Sequence, residues 1–286
     1  SRTERGKKER SSVASMLTLS APLWITGLCW LVIQQSDIVV LGFLRGPAEV
    51  GIYAPILKIA EASTLLLAAM APYLLPESAR LDARGDHAGL QRLYDSSTKW
   101  VLVFGTPLIA GLMLAPRELV HLLLGIDAPE VATVGRLLAA AFLLMTVFGA
   151  SEALLQANCR PGKLVRRSLL VLVGTVMINV LLVWRFGIVG AALGNLLACG
   201  LFGAANAWLL HAELGVRPFS SAPGRLLAVA LASSGPTALL LTLVEGQLLS
   251  IAIASAGVGA PTFIAAITPA RWGKVRTVIS AELNRA

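Results

Sequence analysis

The sequence is poor in charged side chains and in the residue types that most enzymes use. Charged residues make up 14% of its 286 residues and aromatic residues 6%. A water-soluble domain typically has about a quarter of its residues charged, so this shortage excludes an ordinary soluble protein. The chain is instead 56% hydrophobic, with a mean hydropathy of +0.75. We therefore expect its surface to face lipid.

Cysteine and histidine are scarce and form no motif. The six residues are widely separated along the chain: Cys29, Cys159, Cys199, His87, His121 and His211. Such spacing suggests neither a disulfide framework nor a zinc site. The sequence also lacks a glycine-rich phosphate loop, a nucleophile elbow and a histidine pair at metal-ligand spacing. We predict no metal, no cofactor and no enzymatic activity.

Eight long apolar stretches are present, and most approach the ~20 residues that a helix needs to cross a bilayer. They are Val13–Leu44, Tyr53–Pro76, Trp100–Leu114, Arg136–Ala157, Ser168–Trp184, Ile188–Leu210, Leu226–Val244 and Leu248–Pro269. Helices satisfy their backbone hydrogen bonds internally, and these stretches lack the alternation of a barrel strand. The fold class predicted is all-α, a polytopic membrane bundle of about eight helices.

Basic residues alternate from one side of the predicted membrane to the other. Nineteen of the 24 Lys and Arg residues lie before the first span or after the second, fourth, sixth and eighth. Positive loops stay in the cytoplasm, so both termini should be cytoplasmic. The basic residues that give the net charge of +8 lie at the ends of the spans. They do not form one basic face with exposed aromatics, which argues against binding to nucleic acid. Anionic lipid is the better partner.

Loop composition divides the chain into four parts. Residues 1–12 form a basic cytoplasmic segment, and residues 13–212 a six-helix transmembrane lobe. The link that follows is rich in Gly and Pro, which separates the lobe from an extra helix pair at 213–270. Residues 271–286 have an amphipathic helical pattern and should lie on the inner leaflet.

Charged residues inside the predicted spans mark the candidate site. Asp37 precedes Leu44 by seven residues, and Lys58 and Glu61 follow Tyr53 by five and eight. All three therefore lie roughly 7–12 Å below the outer boundary. Helices joined by a short loop are neighbours, so we expect Asp37 and Lys58 to approach each other, with Glu61 on the Lys58 face.

Two interpretations of this group remain open. It is either a neutralising pair that fixes two helices in register or part of a polar cavity wall. Glu152 is a fourth candidate, on one helix face with Gln156. Secondary polar candidates are Gln34, Asn179 and Asn195; for the two asparagines, hydrogen bonding between helices is favoured over contact with a ligand.

The segment QQSDIVVLGFLRGPAEVGIYAPILKIAEA, with the following APYLLPESARL, carries a family resemblance. It has an Asp near the end of a long helix, a Leu-Gly turn, a short loop with Glu-Val-Gly-x-Tyr, and a helix that closes on Pro before a basic loop. A later small-residue helix begins GIVGAALGN. In this order these features resemble the second half of polysaccharide flippases in the multidrug/oligosaccharidyl-lipid/polysaccharide exporter superfamily. The resemblance covers about residues 13–212.

That resemblance implies two six-helix bundles around a cavity that opens alternately to each side. The substrate would be an undecaprenyl-linked oligosaccharide, carried outward across the bacterial cytoplasmic membrane. The spans here correspond to the seventh through fourteenth helices, so we expect the first bundle upstream or on a second polypeptide. Family cavities tend to be cationic, whereas Asp37, Lys58 and Glu61 sum to a negative charge. The other half could supply cations, or the acids could bind a coupling proton or sodium ion.

Two other functions compete with the flippase. A cation-coupled multidrug exporter would use the same fold. A membrane polysaccharide polymerase would need a large outer loop with catalytic residues, and the longest outer segment, about 115–135, offers few.

Overall fold

The computed structural model describes residues 2–159, 161–217, 256–258 and 261–262. This part of the chain is an all-α bundle, as predicted. Its seven helices are α1 (Arg2–Arg45), α2 (Pro47–Ala62), α3 (Leu65–Ala83), α4 (His87–Leu114), α5 (Pro116–Leu124), α6 (Val131–Asn158) and α7 (Pro161–Leu214).

Helix α7 reverses direction at Gly187. The backbone there has φ 58° and ψ −134°, a left-handed conformation that glycine adopts without a Cβ clash. Residues at similar distances along the chain from the reversal meet: Arg167 bonds to Asn206, and Lys163 lies 2.5 Å from Glu213. The helix is therefore a hairpin of two antiparallel arms, 161–186 and 188–214.

The described helices account for the six predicted spans of the lobe. Among the described residues, four helices are long and apolar enough to cross a membrane, and α2 with α3, bent by 50°, is a fifth candidate if the pair is one span. The two arms of α7 contain the fifth and sixth predicted spans, and the six-helix lobe stays a prediction. The chain is a membrane protein. The predicted spans Leu226–Val244 and Leu248–Pro269 and the tail 271–286 lie outside the described residues, apart from two short helical pieces at 256–258 and 261–262.

Three helix boundaries lie within or beside the first three predicted spans. Gly46, at φ 93°, lies between α1 and α2, and Pro47 begins α2. The second predicted span is broken between α2 and α3 at Ser63 and Thr64. The third predicted span was too short because α4 begins thirteen residues earlier, where the Asp86 carboxylate accepts a 2.7 Å hydrogen bond from the backbone N–H of Gly89.

Helix α6 lies at the centre of the lobe and contacts α2, α3, α4, α5 and α7. Its residues Val134, Leu138 and Phe142 belong to the main apolar core. Large apolar side chains on the outer surface remain exposed, including Phe43 at 87% and Trp184 at 67%. In a membrane protein such side chains face lipid.

The predicted small-residue ridge lies in the α7 hairpin. A Cβ at Gly190 would collide with the carbonyl of Leu182, and one at Gly194 with the side-chain oxygen of Asn179. The two arms therefore approach closely because these positions have no side chain.

Candidate functional site

Asp37 is the centre of a buried polar network. Asp37 lies on α1 and is 1% exposed. The carboxylate accepts hydrogen bonds from the Tyr53 hydroxyl at 2.6 Å, the Asn195 side-chain amide at 2.8 Å and the backbone N–H of Ile38 at 2.8 Å. Buried carboxylates need such donors, because desolvation otherwise makes the charge very costly. The network joins α1, α2 and the second arm of α7.

A second set of polar contacts involves Ser36, the residue before Asp37. The Asn179 amide donates to the Ser36 hydroxyl at 2.7 Å, and Ser36 donates to the carbonyl of Ile33. The predicted interhelical hydrogen bonding of Asn179 and Asn195 is therefore confirmed. Two buried oxygens on the first arm of α7 have no hydrogen-bond partner among the described residues: Oδ1 of Asn179 and Oγ1 of Thr175. Polar side chains thus tie α1 to both arms of α7.

Lys58 does not join this network. Its ammonium lies 2.5 Å from the Glu61 carboxylate on the same helix, which confirms the predicted Lys58–Glu61 face. The expected approach of Lys58 to Asp37 is wrong, because Asp37 is paired with Tyr53 and Asn195 instead. The Lys58 side chain is 55% exposed and that of Glu61 34%.

Helix geometry explains the difference. Residues Tyr53, Ile56, Leu57 and Ala60 form the buried face of α2. At about 100° per residue, Lys58 is rotated by about 140° from Tyr53 and points to another side of the helix. The sequence places Lys58 and Asp37 at comparable depth, but depth alone does not bring two side chains together.

Glu152 and Arg167 form a second buried network at the other end of the lobe. Nη1 of Arg167 lies 2.9 Å from one carboxylate oxygen of Glu152, and Nη2 lies 3.2 Å from the other. Asn206, fully buried, accepts from Arg167 at 2.6 Å and donates to Glu152 at 3.2 Å. The Gln156 amide adds a 3.0 Å bond to Glu152, so the predicted shared face is confirmed. This arrangement links α6 to both arms of α7.

Sequence reasoning missed three members of these networks. Tyr53 was treated as a span boundary, and Arg167 only as a loop charge. Asn206 was not singled out, although it follows Asn195 by eleven residues, about three helical turns. Asn195, Asn206 and the intervening Phe202 are all buried on one face of α7. Polar residues at this spacing inside an apolar stretch are the signal that could have identified Asn206.

Arg45 makes a third connection at the Gly187 reversal. Its guanidinium donates to the backbone carbonyls of Val183 at 3.4 Å and Trp184 at 3.0 Å. These carbonyls belong to the last turn of the first arm, where intrahelical partners are lacking. The end of α1 is thereby attached to the reversal.

The networks can hold helices in register and present polar surface, but they do not resemble a catalytic centre. Within the described ranges, no group of three His, Cys, Asp or Glu side chains could hold a metal ion. Gln34 is half-buried on α1. The transport roles assigned to Asp37, Lys58, Glu61, Glu152, Gln34, Asn179 and Asn195 stay predictions.

Comparison with known proteins finds a family that part of the chain resembles. Residues 2–127 match the model of a polysaccharide biosynthesis protein family. The match covers less than half of the chain. The polysaccharide biosynthesis match covers α1 to α5, including Asp37, Lys58 and Glu61. It confirms the resemblance to polysaccharide flippases and exporters predicted from the sequence.

One relative has a function in its name. A protein of Haloferax volcanii, the probable low-salt glycan biosynthesis flippase Agl15, is 23% identical over 162 residues. The matched region covers 57% of the present chain and 34% of the relative. The chain thus corresponds to about a third of that protein's length. No solved structure matches the chain.

Proposed function

We propose that this chain is the C-terminal part of a larger transporter that moves a lipid-linked oligosaccharide across the cytoplasmic membrane by alternating access. The observation that carries the proposal is the polysaccharide biosynthesis match over residues 2–127, within an all-α bundle of long apolar helices. The flippase name of the Haloferax volcanii relative supports the same activity. Both termini would lie in the cytosol, as the distribution of basic loops indicates.

The physical task of such a protein is to replace water around a sugar head group. Hydroxyl groups cost several kcal/mol each to move into hydrocarbon without hydrogen-bond partners. A polar cavity between two lobes lowers this cost while the polyprenyl tail stays in lipid. No covalent bond is made or broken in this process, and the proposal is therefore transport and not enzymatic catalysis.

The Lys58–Glu61 pair supports a cavity wall on α2. Lys58 lies eleven residues into α2, about 16 Å from Pro47 along the helix axis. Its side chain is more than half exposed in the described lobe. Ionised groups at this depth are expensive against lipid and usually face water or protein. We infer that this face of α2 turns toward the second lobe, which upstream sequence or another polypeptide would provide.

The two buried networks would support this wall without touching substrate. Asp37 attaches α2 to α1 and α7 through Tyr53 and Asn195, and Glu152 attaches α6 to α7 through Arg167. Because these carboxylates are occupied by partners inside the lobe, we assign them to positioning the helices. Of the four acidic and basic candidates, Lys58 and Glu61 are then the ones proposed to meet the head group.

One observation favours the alternative of a cation-coupled exporter. Within the part of the chain that the structure describes, Oδ1 of Asn179 and Oγ1 of Thr175 lack hydrogen-bond partners, and Asn179 contacts Ser36 beside Asp37. Neutral and carboxylate oxygens together are ligands that sodium accepts in transporters. An exporter of amphipathic compounds would use such a site to couple ion entry to efflux.

Reconstitution of the full-length protein in vesicles separates the two functions. A fluorescent polyprenyl-diphosphate oligosaccharide in the outer leaflet reports flipping when a membrane-impermeant quencher no longer reaches it. Dye efflux under a proton or sodium gradient is measured in the same preparation. Flipping that is lost in Lys58→Gln and kept in the exposed loop variant Arg84→Gln would support the flippase. Efflux without flipping would overturn it.

A further inference from the structure

A groove lies between the two arms of α7, at the end farthest from Gly187. Its volume is about 800 Å³, within the range of about 300–1,000 Å³ typical of small-molecule sites. Its polar rim is formed by Lys163, Arg166, Arg167 and Glu213. The groove is distinct from the Lys58–Glu61 face of α2.

The rim carries an excess of positive charge. Glu213 is the acid in the lining, and it pairs with Lys163 at 2.5 Å. Arg166 is exposed and forms no ion pair with any other described residue. Arg167 is 9% exposed and bonds to Glu152. An anion at the rim would therefore meet the Arg166 guanidinium, which no carboxylate of the described residues neutralises.

The first turn of α7 adds to this attraction. The helix begins at Pro161, where the unsatisfied N–H groups of a helix carry a partial positive charge. Gly162 lines the groove, and a Cβ at this position would have no atom within 4 Å. The rim has open space beside its cations.

The rest of the groove is apolar, and its large side chains are exposed in the part of the chain that the structure describes. Leu170 is 68% exposed, Trp208 69% and Leu201 39%, and all three line the groove. Tryptophan is frequent at membrane interfaces, where its ring contacts both head groups and chains. A cationic rim followed by an apolar wall matches an amphiphile with an anionic head.

We propose that this groove binds an anionic glycerophospholipid of the bilayer. The lipid phosphate would lie between Arg166 and Lys163 at the start of α7. One acyl chain would follow Leu170, Leu201 and Trp208. Basic pockets between transmembrane helices on the cytoplasmic side bind lipid phosphates by this combination of charge and apolar contact.

Lipid binding to the purified full-length protein tests the proposal without requiring transport. Phosphatidylglycerol and phosphatidylcholine with identical chains are titrated into the detergent-solubilised protein, and native mass spectrometry gives the dissociation constant of each. A basic residue near the head groups contributes about 1 kcal/mol, or about a fivefold change in affinity. We expect Arg166→Gln to weaken phosphatidylglycerol binding about fivefold and to leave phosphatidylcholine unchanged.

Gly162→Glu provides an independent variant that removes no existing contact. It places a negative charge in open space at the rim, and an acid in the first helical turn does not disturb the fold. Its phosphatidylglycerol affinity should fall by a similar factor. Gly162→Ala and Arg84→Gln are the matched controls, because the first adds no charge and Arg84 lies outside the groove lining; both should bind like the unmodified protein.

Several results would overturn the proposal. Equal affinity for the two lipids, or unchanged phosphatidylglycerol binding in Gly162→Glu/Arg166→Gln, would exclude a phosphate at this rim. Competition by glycerol phosphate as strong as that by the lipid would indicate a soluble anion. A cross-link from Arg166→Cys to a residue within 218–286 would show that the chain's own C-terminal part fills the groove.

Discussion

The Tyr53 hydroxyl donates a 2.6 Å hydrogen bond to the Asp37 carboxylate, and both residues are almost fully buried. Replacing Tyr53 with Phe would leave a buried carboxylate with one donor fewer. Hydrogen bonds to charged groups contribute about 1.5–3 kcal/mol, so we expect a loss of stability in that range. Chemical unfolding of the purified protein in detergent measures it. Tyr73→Phe, at a residue 60% exposed on α3, is the control and should change little.

The Glu152–Arg167 pair should show strong coupling in a double-mutant cycle. Glu152→Gln leaves Arg167 buried without its counter-ion, which costs about 3–5 kcal/mol. Arg167→Gln should cost less, because the Glu152 side chain is 20% exposed. The double variant should be less destabilised than the sum of the single variants, because no uncompensated charge remains. Additive effects would show that the two side chains do not interact. The surface pair Glu77–Arg80 serves as the control and should show little coupling.

The α7 hairpin should tolerate a methyl group at one glycine and not at another. Gly190→Ala would place its Cβ against the backbone carbonyl of Leu182, and we expect a loss of about 1–3 kcal/mol from overpacking. Gly200→Ala meets its nearest neighbour, the Leu144 side chain, at 4.0 Å. It should be neutral or more stable by up to about 1 kcal/mol, since alanine favours helix. Unfolding midpoints of the two variants give the comparison.

The Lys58–Glu61 pair should affect transport more than stability. The double variant Lys58→Gln/Glu61→Gln removes both charges together and leaves no unpaired ion. Because the side chains are 55% and 34% exposed, the unfolding midpoint should hardly move. If the pair lines the translocation cavity, the flipping rate should fall in the same preparation. A stable double variant with an unchanged rate would place the cavity elsewhere.

Cysteine labelling in cells should give the membrane orientation. Arg84→Cys and Arg166→Cys should react with maleimide only from the cytosolic side, and Asp127→Cys from outside. The native cysteines are buried, and burial raises the pKa of the Cys159 thiol to about 11. Thiolate is the reactive form, so Cys159 should react slowly at pH 7 and faster as pH rises toward 11. External labelling of Arg166→Cys would reverse the proposed topology.

The architecture was predictable because composition and helix length determine it. Apolar stretches of about 20 residues locate the crossings, and Gly46-Pro47 locates the end of α1. The α2–α3 bend at Ser63 and the early start of α4 were not predictable from hydropathy. Both depend on local hydrogen bonding, such as the Asp86 cap, which changes average hydropathy very little.

The candidate site was predictable by residue type but not by pairing. Asp37 and Glu152 were singled out because charge inside a span is costly, and both are indeed held by polar partners. Their partners depend on the rotation of each helix about its axis. The pattern of buried residues on α2 contains that information, and it places Tyr53, not Lys58, toward α1.

The attachment of α1 to the α7 hairpin has a mechanical consequence. Arg45 joins the two at the Gly187 reversal, and Ser36 with Asp37 joins them again about two turns away. Because α1 and the two arms of α7 are joined at these two depths, they should move as one rigid body. Because Tyr53 attaches α2 to the same body, relative motion during a working cycle would then concentrate at the break at Ser63 and Thr64, where α2 ends and α3 begins.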